Sequence, residues 1–175
     1  QKAPPFFTAL RSWAIYNGSL RNALRRLKYK SDLALGESLS RPLGELLESL
    51  SWPIELLVPV PIGRVRRRER GYNQAALLAY PLALCNRIPY KAHALSRKRE
   101  TRSQVGLNQI ERKLNVADAF VASKEIVEGK SVLVVDDITT TGATLNACAQ
   151  ALFSAGAQSV YGLTLARAGP GQDPV

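Results

Sequence analysis

Apolar residues recur along the chain with two different periods. Between Gly18 and Lys28 the residues Leu20, Ala23, Leu24 and Leu27 fall on one stripe, with Arg21, Arg25, Arg26 and Lys28 around it, which predicts an amphipathic helix. A second helical stretch starts at Asp32 and continues towards Leu50 on a stripe of Leu35, Leu39, Leu43, Leu46, Leu47 and Leu50. A break or restart is expected at Pro42, because proline has no N–H and its ring crowds the preceding turn. The period then changes. Ile54 to Pro61 is a short, nearly continuous apolar run, as in a strand buried within a parallel sheet. A basic loop follows, then a helix from about Asn73 to Cys85, and Lys91 to Leu95 reads as another strand. Ser96 to Asn108 is polar, basic and without apolar period, and reads as a long mobile loop. A short helix around Gln109 to Leu114 and a strand near Ala119 to Ala122 come next.

The last third has the clearest pattern. Ser131 to Val135 reads as a buried strand, Ala143 to Ala155 as a helix that Gly156 is placed to cap, and Ser159 to Leu165 as a strand again. Strands alternating with helices imply an α/β fold with a mostly parallel sheet covered on both faces. The two N-terminal helices are expected as a small extra layer over one end. The chain divides accordingly into a helical hood (1–52), a core (53–168) and a loose tail (169–175), with no internal repeat.

At 175 residues this fits one ordinary domain. Charge narrows the classes further: 24 Lys and Arg against 14 Asp and Glu give a net charge of +10. Such a field attracts polyanions, whether phosphorylated metabolites, nucleic acid or an acidic membrane surface. No apolar run approaches the roughly 18 residues of a membrane span. The opening Gln1-Lys-Ala-Pro-Pro-Phe-Phe lacks the layout of a signal peptide, so a cytoplasmic location is expected. Cys85 and Cys148 lie in predicted helices far apart and read as core residues, not a zinc pair, and His93 reads as structural.

In an open parallel sheet, ligands bind beyond the carboxyl ends of the strands. Asp136 and Asp137 directly follow the Leu133–Val135 run. Adjacent carboxylates there can accept both hydrogens of a vicinal diol, as on a ribose ring, or help to hold a hydrated Mg2+. Thr139, Thr140, Thr141, Gly142, Ala143 and Thr144 then offer hydroxyls and successive backbone N–H groups at a helix start, with Gly142 allowing close approach. Diol binder and phosphate cradle are separated by about the span of a ribose 5-phosphate.

Val132 to Thr144 resembles the phosphoribosyl-pyrophosphate (PRPP) motif of type I phosphoribosyltransferases: an apolar strand, two acidic residues, then a Thr/Gly loop. A receiver-type acidic pocket also places Asp pairs at strand ends, but leaves Thr139 to Thr144 unexplained. The resemblance narrows with Val58-Pro-Val-Pro61, Arg68-Glu-Arg-Gly-Tyr-Asn-Gln74, Thr101-Arg-Ser-Gln104, Arg112 with Asn115, Ala119-Phe120 and Thr164-Leu-Ala-Arg167. From about Tyr16 to Arg167 the sequence is similar to the ComF family, phosphoribosyltransferase-like competence proteins of naturally transformable bacteria. Members of that family often begin with a four-cysteine zinc module, which this sequence does not contain.

The resemblance implies a type I phosphoribosyltransferase fold and roles by position. PRPP would lie on Asp136, Asp137 and Thr139 to Thr144, with Mg2+ on the two aspartates. Pro61, Ile62, Gly63 and Arg64 would form the pyrophosphate loop. Ser96 to Asn108 would be the flexible loop that closes over PRPP, with Arg97, Lys98, Arg99 and Arg102 as candidate cations, and Arg97 and Arg99 joining Asp136 and Asp137 as the catalytic set. Departure of pyrophosphate leaves an oxocarbenium-like centre, so positioning, Mg2+ and cations on the leaving group dominate such chemistry, and a lid keeps water out. Purine-salvage relatives carry an acidic residue where this chain has Thr140, which argues against purine salvage and leaves no general base in view.

Arg64 to Arg70 is the densest basic cluster. Arg66, Arg67, Arg68 and Arg70, with Tyr72 for base stacking, are candidates for contact with single-stranded DNA, against the alternatives of a pyrophosphate site or a solubilising loop. Two function classes follow. One is a PRPP-binding protein of natural transformation that contacts DNA alongside the uptake machinery. The other is an active transferase moving phosphoribose from PRPP to an unidentified acceptor in nucleotide metabolism.

Overall fold

Successive side chains of a strand leave the backbone on opposite sides, and in the apolar run from Val132 to Val135 each side meets a different core. Val132 and Val134 enter one core with Leu145, Cys148, Ala149 and Leu152. Leu133 and Val135 enter the other with Leu24, Leu27, Leu43, Leu47, Leu78 and Leu82. A run apolar at every position is what burial on both faces requires.

The computed structural model describes residues 5–29, 32, 34–98, 111, 115–116 and 118–169. In chain order its elements are β1 (Ala9–Ile15), α1 (Gly18–Tyr29), α2 (Ala34–Leu50), β2 (Leu56–Pro59), α3 (Arg64–Arg70), α4 (Gln74–Cys85), a 3-10 turn (Ala92–Ala94), β3 (Leu95–Arg97), β4 (Phe120–Ala122), α5 (Lys124–Val127), β5 (Ser131–Thr139), α6 (Ala143–Ser154) and β6 (Ser159–Arg167). The main sheet has the order β1-β6-β5-β2 with every pairing parallel, and β3 and β4 form a separate antiparallel ribbon. Helix α6 and the ribbon cover one face, while α1, α2 and α4 cover the other. The N-terminal helices thus share the core of the sheet. As expected, Gly156 ends α6: its N–H donates to the Phe153 carbonyl and that of Ala157 to the Leu152 carbonyl.

Four expectations are corrected. Helix α2 runs through Pro42 without a break. An interior proline opposes a helix by about 3 kcal/mol, whereas burying Leu43 and Leu47 on either side of one turn returns about 1.5–3 kcal/mol each. The basic loop after β2 is instead helix α3, which Gly71 ends at φ 80° with its N–H donating to the Arg67 carbonyl. None of its residues is buried, so it left no apolar stripe to read. The strand expected over Lys91 to Leu95 begins only at Leu95 and takes in Ser96 and Arg97, which pair with Val121 and Phe120. Strand β1 was not expected at all: its outward side chains Trp13 and Ile15 are 45% and 65% exposed, so apolar residues lie on both faces and erase the alternation. The remainder of the expected loop from Arg99, and all but Glu111 of the helix expected over Gln109 to Leu114, lie outside the described residues, as does the tail beyond Gly169.

Candidate functional site

Asp136 and Asp137 lie inside β5 and not beyond it. Pairing with β6 continues through Asp136↔Thr164, Ile138↔Ala166 and Thr139↔Arg167, so strand alternation extends to the carboxylates. Asp136 follows Val134 towards α6, and Asp137 follows Val135 towards α1. The side-by-side clamp expected of an adjacent pair is therefore one carboxylate on each side of the strand end.

Each carboxylate has its own environment. Asp137 is 8% exposed, and its Oδ2 lies 3.0 Å from the ammonium of Lys28 in α1, itself largely buried. No donor among the described residues is aligned on that oxygen with hydrogen-bond geometry, so charge holds the pair. Asp137 Oδ1 accepts from the Ile138 N–H at 3.0 Å. Asp136 Oδ1 accepts from the Asp137 N–H at 2.9 Å. Burial above all, and then the neighbouring Asp137 charge, push the Asp136 carboxyl well above the ordinary aspartate range, with the Asp137 N–H and Lys28 opposing. The register aligns Asp136 with Thr164 of β6 and Ser12 of β1, whose hydroxyls are 2.7 Å apart, giving a polar row across the strand ends. Lys28 was missed from sequence, although it lies four residues after Leu24 and so on the edge of the buried stripe. Ser12 and Thr164 gave no such signal.

The turn from β5 into α6 forms the cradle. Thr139 is buried at the strand end, Thr140 and Thr144 are half-buried, Thr141 is exposed, and Gly142 and Ala143 are buried. Gly142 is the residue before α6 at φ 77°, a left-handed conformation open to glycine at little cost. The Thr141 hydroxyl accepts from the Ala143 N–H at 3.3 Å, and the Gly142 carbonyl accepts from the Asn146 N–H at 2.8 Å. With 12 residues, α6 has a full dipole whose positive end faces the turn. The N-terminal segment walls this turn: the Phe6 N–H donates to Asn146 Oδ1 at 2.6 Å, and Leu10 and Phe7 would lie 3.6 and 3.9 Å from a side chain at Gly142. Sequence reading missed this wall.

On the other flank, the Val60 N–H donates to the Val135 carbonyl at 2.9 Å, so Pro61, Ile62, Gly63 and Arg64 leave β2 beside Asp136. Pro61 and Ile62 are half-buried, Gly63 is buried, and Arg64 is exposed at the start of α3. Asn73 Nδ2 donates to the Val60 carbonyl at 2.9 Å, tying this loop to the start of α4. Within α3, Arg67 and Arg68 are exposed and Arg66 and Arg70 half-buried. Tyr72 is not positioned as the free stacking ring expected: it is half-buried, and its hydroxyl donates to the Leu27 carbonyl at 2.5 Å. Arg97, on β3, is half-buried with its guanidinium 5.1 Å from the centre of the Phe120 ring. Cys148 is a buried core residue on the same side of the sheet. Burial first, and then the Asp136 charge, push its thiol well up, with Arg97 opposing. Arg99 and Arg102 lie outside the described residues.

The sequence matches the family described as Phosphoribosyl transferase domain over residues 70–175. It is 34% identical over 174 residues to the DNA utilization protein YhgH of Escherichia coli, covering 95% of this chain and 75% of that protein. The chain is a ComF-type member of the phosphoribosyl transferase domain family. Competence protein F of Haemophilus influenzae is 33% identical over 153 residues, covering 83% of this chain and 66% of that protein. Competence protein ComFC of Bacillus subtilis is 31% identical over 160 residues, covering 90% and 63%. The ComF-type chain thus spans about two thirds to three quarters of the length of these relatives. Among solved structures it is similar to a glutamine PRPP amidotransferase from B. subtilis, with TM-score 0.49 and 24% identity over 73% of this chain and 26% of that one. It is also similar to an adenine phosphoribosyltransferase from Thermoanaerobacter pseudethanolicus, with TM-score 0.48 and 18% identity over 78% and 82%. The family match covers the whole of β5, the cradle and α6, the segment on which the site is built. Among the described residues no helix is long and apolar enough to cross a membrane, and no three His, Cys, Asp or Glu side chains cluster as a metal cage.

Proposed function

We propose that this protein binds PRPP at the carboxyl end of β5 and acts in the cytoplasm in the uptake or utilization of DNA, holding single-stranded DNA on its basic surface alongside the proteins of the uptake machinery. The observation that carries the PRPP reading is the meeting of three features at one strand end: a carboxylate on β5, a glycine-bearing helix start, and the β2–α3 loop. The 5-phosphate suits the N–H groups at the start of α6, the ribose hydroxyls suit Asp136, on the α6 side of the strand, and the pyrophosphate suits Pro61 to Arg64. The DNA reading draws on the names of the relatives, which are competence and DNA utilization proteins, and on the net charge of +10.

The same residues fit Mg2+. Hard carboxylate oxygens with few protein ligands suit an ion that keeps water and shares substrate phosphates. The divalent charge would also favour the ionised form of Asp136, which burial and Asp137 oppose. Asp136 would be its protein ligand, Asp137 being turned to the other side of the strand and held by Lys28, and bound there the ion would offset charge on the pyrophosphate. A second reading, transfer of phosphoribose to an acceptor, is favoured by the match to the phosphoribosyl transferase domain family.

Thermal melts of the full chain with PRPP and Mg2+, against ribose 5-phosphate and Mg2+, test the binding. A specific site raises stability by about 2.7 kcal/mol at a hundredfold excess over Kd, and identical melts with and without PRPP would contradict it. Pyrophosphate release that a defined acceptor accelerates would favour the transferase. Binding without release would favour the DNA-handling role.

A further inference from the structure

We infer that the nucleic-acid surface is a track shared by α1 and α3, with Tyr29 as its base-stacking platform; this rests on the DNA reading above. Arg21, Arg25 and Tyr29 are spaced four residues apart and so line one face of α1 over about 12 Å. All three are exposed, Tyr29 to 57%. At the end of that row the guanidinium of Arg70 lies 5.2 Å from the centre of the Tyr29 ring. Arg66 and Arg67, four and three residues before Arg70, continue the row along α3. The Tyr72 hydroxyl, bonded to the Leu27 carbonyl at 2.5 Å, fixes the turn after α3 against the end of α1. The result is a line of arginines interrupted by one exposed aromatic ring, on a helix that contains no acidic residue.

The chemistry selects the partner. A solvated basic face has no use for an exposed ring among its arginines, whereas a single strand presents phosphates to cations and unpaired bases to a ring. A base added to the Arg70–Tyr29 stack gains both aromatic and cation–π contact. Tyr72, the ring suggested by sequence, is spent on bracing the two helices. Arg26 is left out of the track because it pairs with Asp32.

The test is fluorescence anisotropy of the full chain with a labelled oligo-dT strand, and with an abasic strand of the same length, across a salt series. Arg21, Arg25, Tyr29, Arg67 and Arg68 are exposed and Arg66 is half-buried, and circular dichroism checks that each variant is folded. Arg21→Gln/Arg25→Gln is expected to reduce the slope of log affinity against log salt by about 1.4, the share of two phosphates on a single strand. Tyr29→Leu is expected to weaken oligo-dT binding about fivefold or more with the slope unchanged. Tyr29→Trp restores it, and abasic binding is indifferent to both. If these variants bind oligo-dT like the wild type while Arg66→Ala/Arg67→Ala/Arg68→Ala binds weakly, the surface is α3 alone. The shared track is then wrong and the DNA reading stands. Equal loss of dT and abasic binding in Tyr29→Leu would overturn the stacking role, and a wild type that binds neither strand would overturn both readings.

Discussion

Burial and the Asp137 charge both oppose ionisation of Asp136. Its pKa in the folded chain therefore lies above that in the unfolded chain, and between the two values the folded form holds the extra proton. Stability from this residue is full below the unfolded value and is lost as the pH rises through the folded one. Asp136→Asn is thus expected to melt above the wild type at neutral pH, with the gap closing as the pH falls; melting curves across pH check it, and a lower melting temperature at neutral pH would contradict it. The Lys28–Asp137 pair has the opposite character. Breaking a buried pair from one side strands a charge, at a cost of about 3–5 kcal/mol. Lys28→Met should show a loss of that order in denaturant unfolding, and Lys28→Met/Asp137→Asn should recover most of it. Additive losses would mean that the two residues do not act as a pair.

Whether an element was legible in the sequence followed from where its side chains go. Strands β2, β5 and β6 are sandwiched between helical layers, so their apolar runs announced them. Helix α3 buries nothing, and β1 is an edge strand with Trp13 and Ile15 turned to solvent, so neither produced a clean period. The end of β5 was misjudged by four residues because Asp136 and Asp137 look like the close of a strand; only the pairing with β6, a long-range contact, continues it. The strand end and turn proposed to hold PRPP were legible because they are local. Lys28, Phe7 and Ser12 reach the same place from the far end of the chain, and no short-range pattern carries that. Packing between elements also sets a limit on substitution. A side chain at Gly36 of α2 would come within 2.9 Å of the Leu77 carbonyl oxygen in α4, a backbone atom that cannot swing aside. Gly36→Ala is therefore expected to lower unfolding stability by about 1–3 kcal/mol, as overpacking does, and a neutral effect would show that α2 shifts freely.

For the molecule as a whole, one turn of α1 joins the two proposed ligands. Lys28 meets Asp137, the neighbour of Asp136 in the proposed PRPP site, and the next residue, Tyr29, stands in the proposed basic track. A ligand on Asp136 changes the charge beside the Lys28–Asp137 pair that holds that turn, so the two sites have a physical link through a packed helix. PRPP with Mg2+ should change oligonucleotide affinity, and the oligonucleotide should change PRPP affinity by the same factor. Anisotropy and calorimetry measure the two sides, and Lys28→Met should uncouple them. Independent affinities in the wild type would mean that α1 transmits nothing.

The most direct measurement is a calorimetric titration of PRPP with Mg2+ into the wild type and into Asp136→Asn, a variant expected to be folded and at least as heat-stable. Saturable binding by the wild type, weakened tenfold or more in the variant, is the expected result. A folded wild type that takes up no PRPP, or a variant that binds it equally well, would contradict a PRPP site at the end of β5.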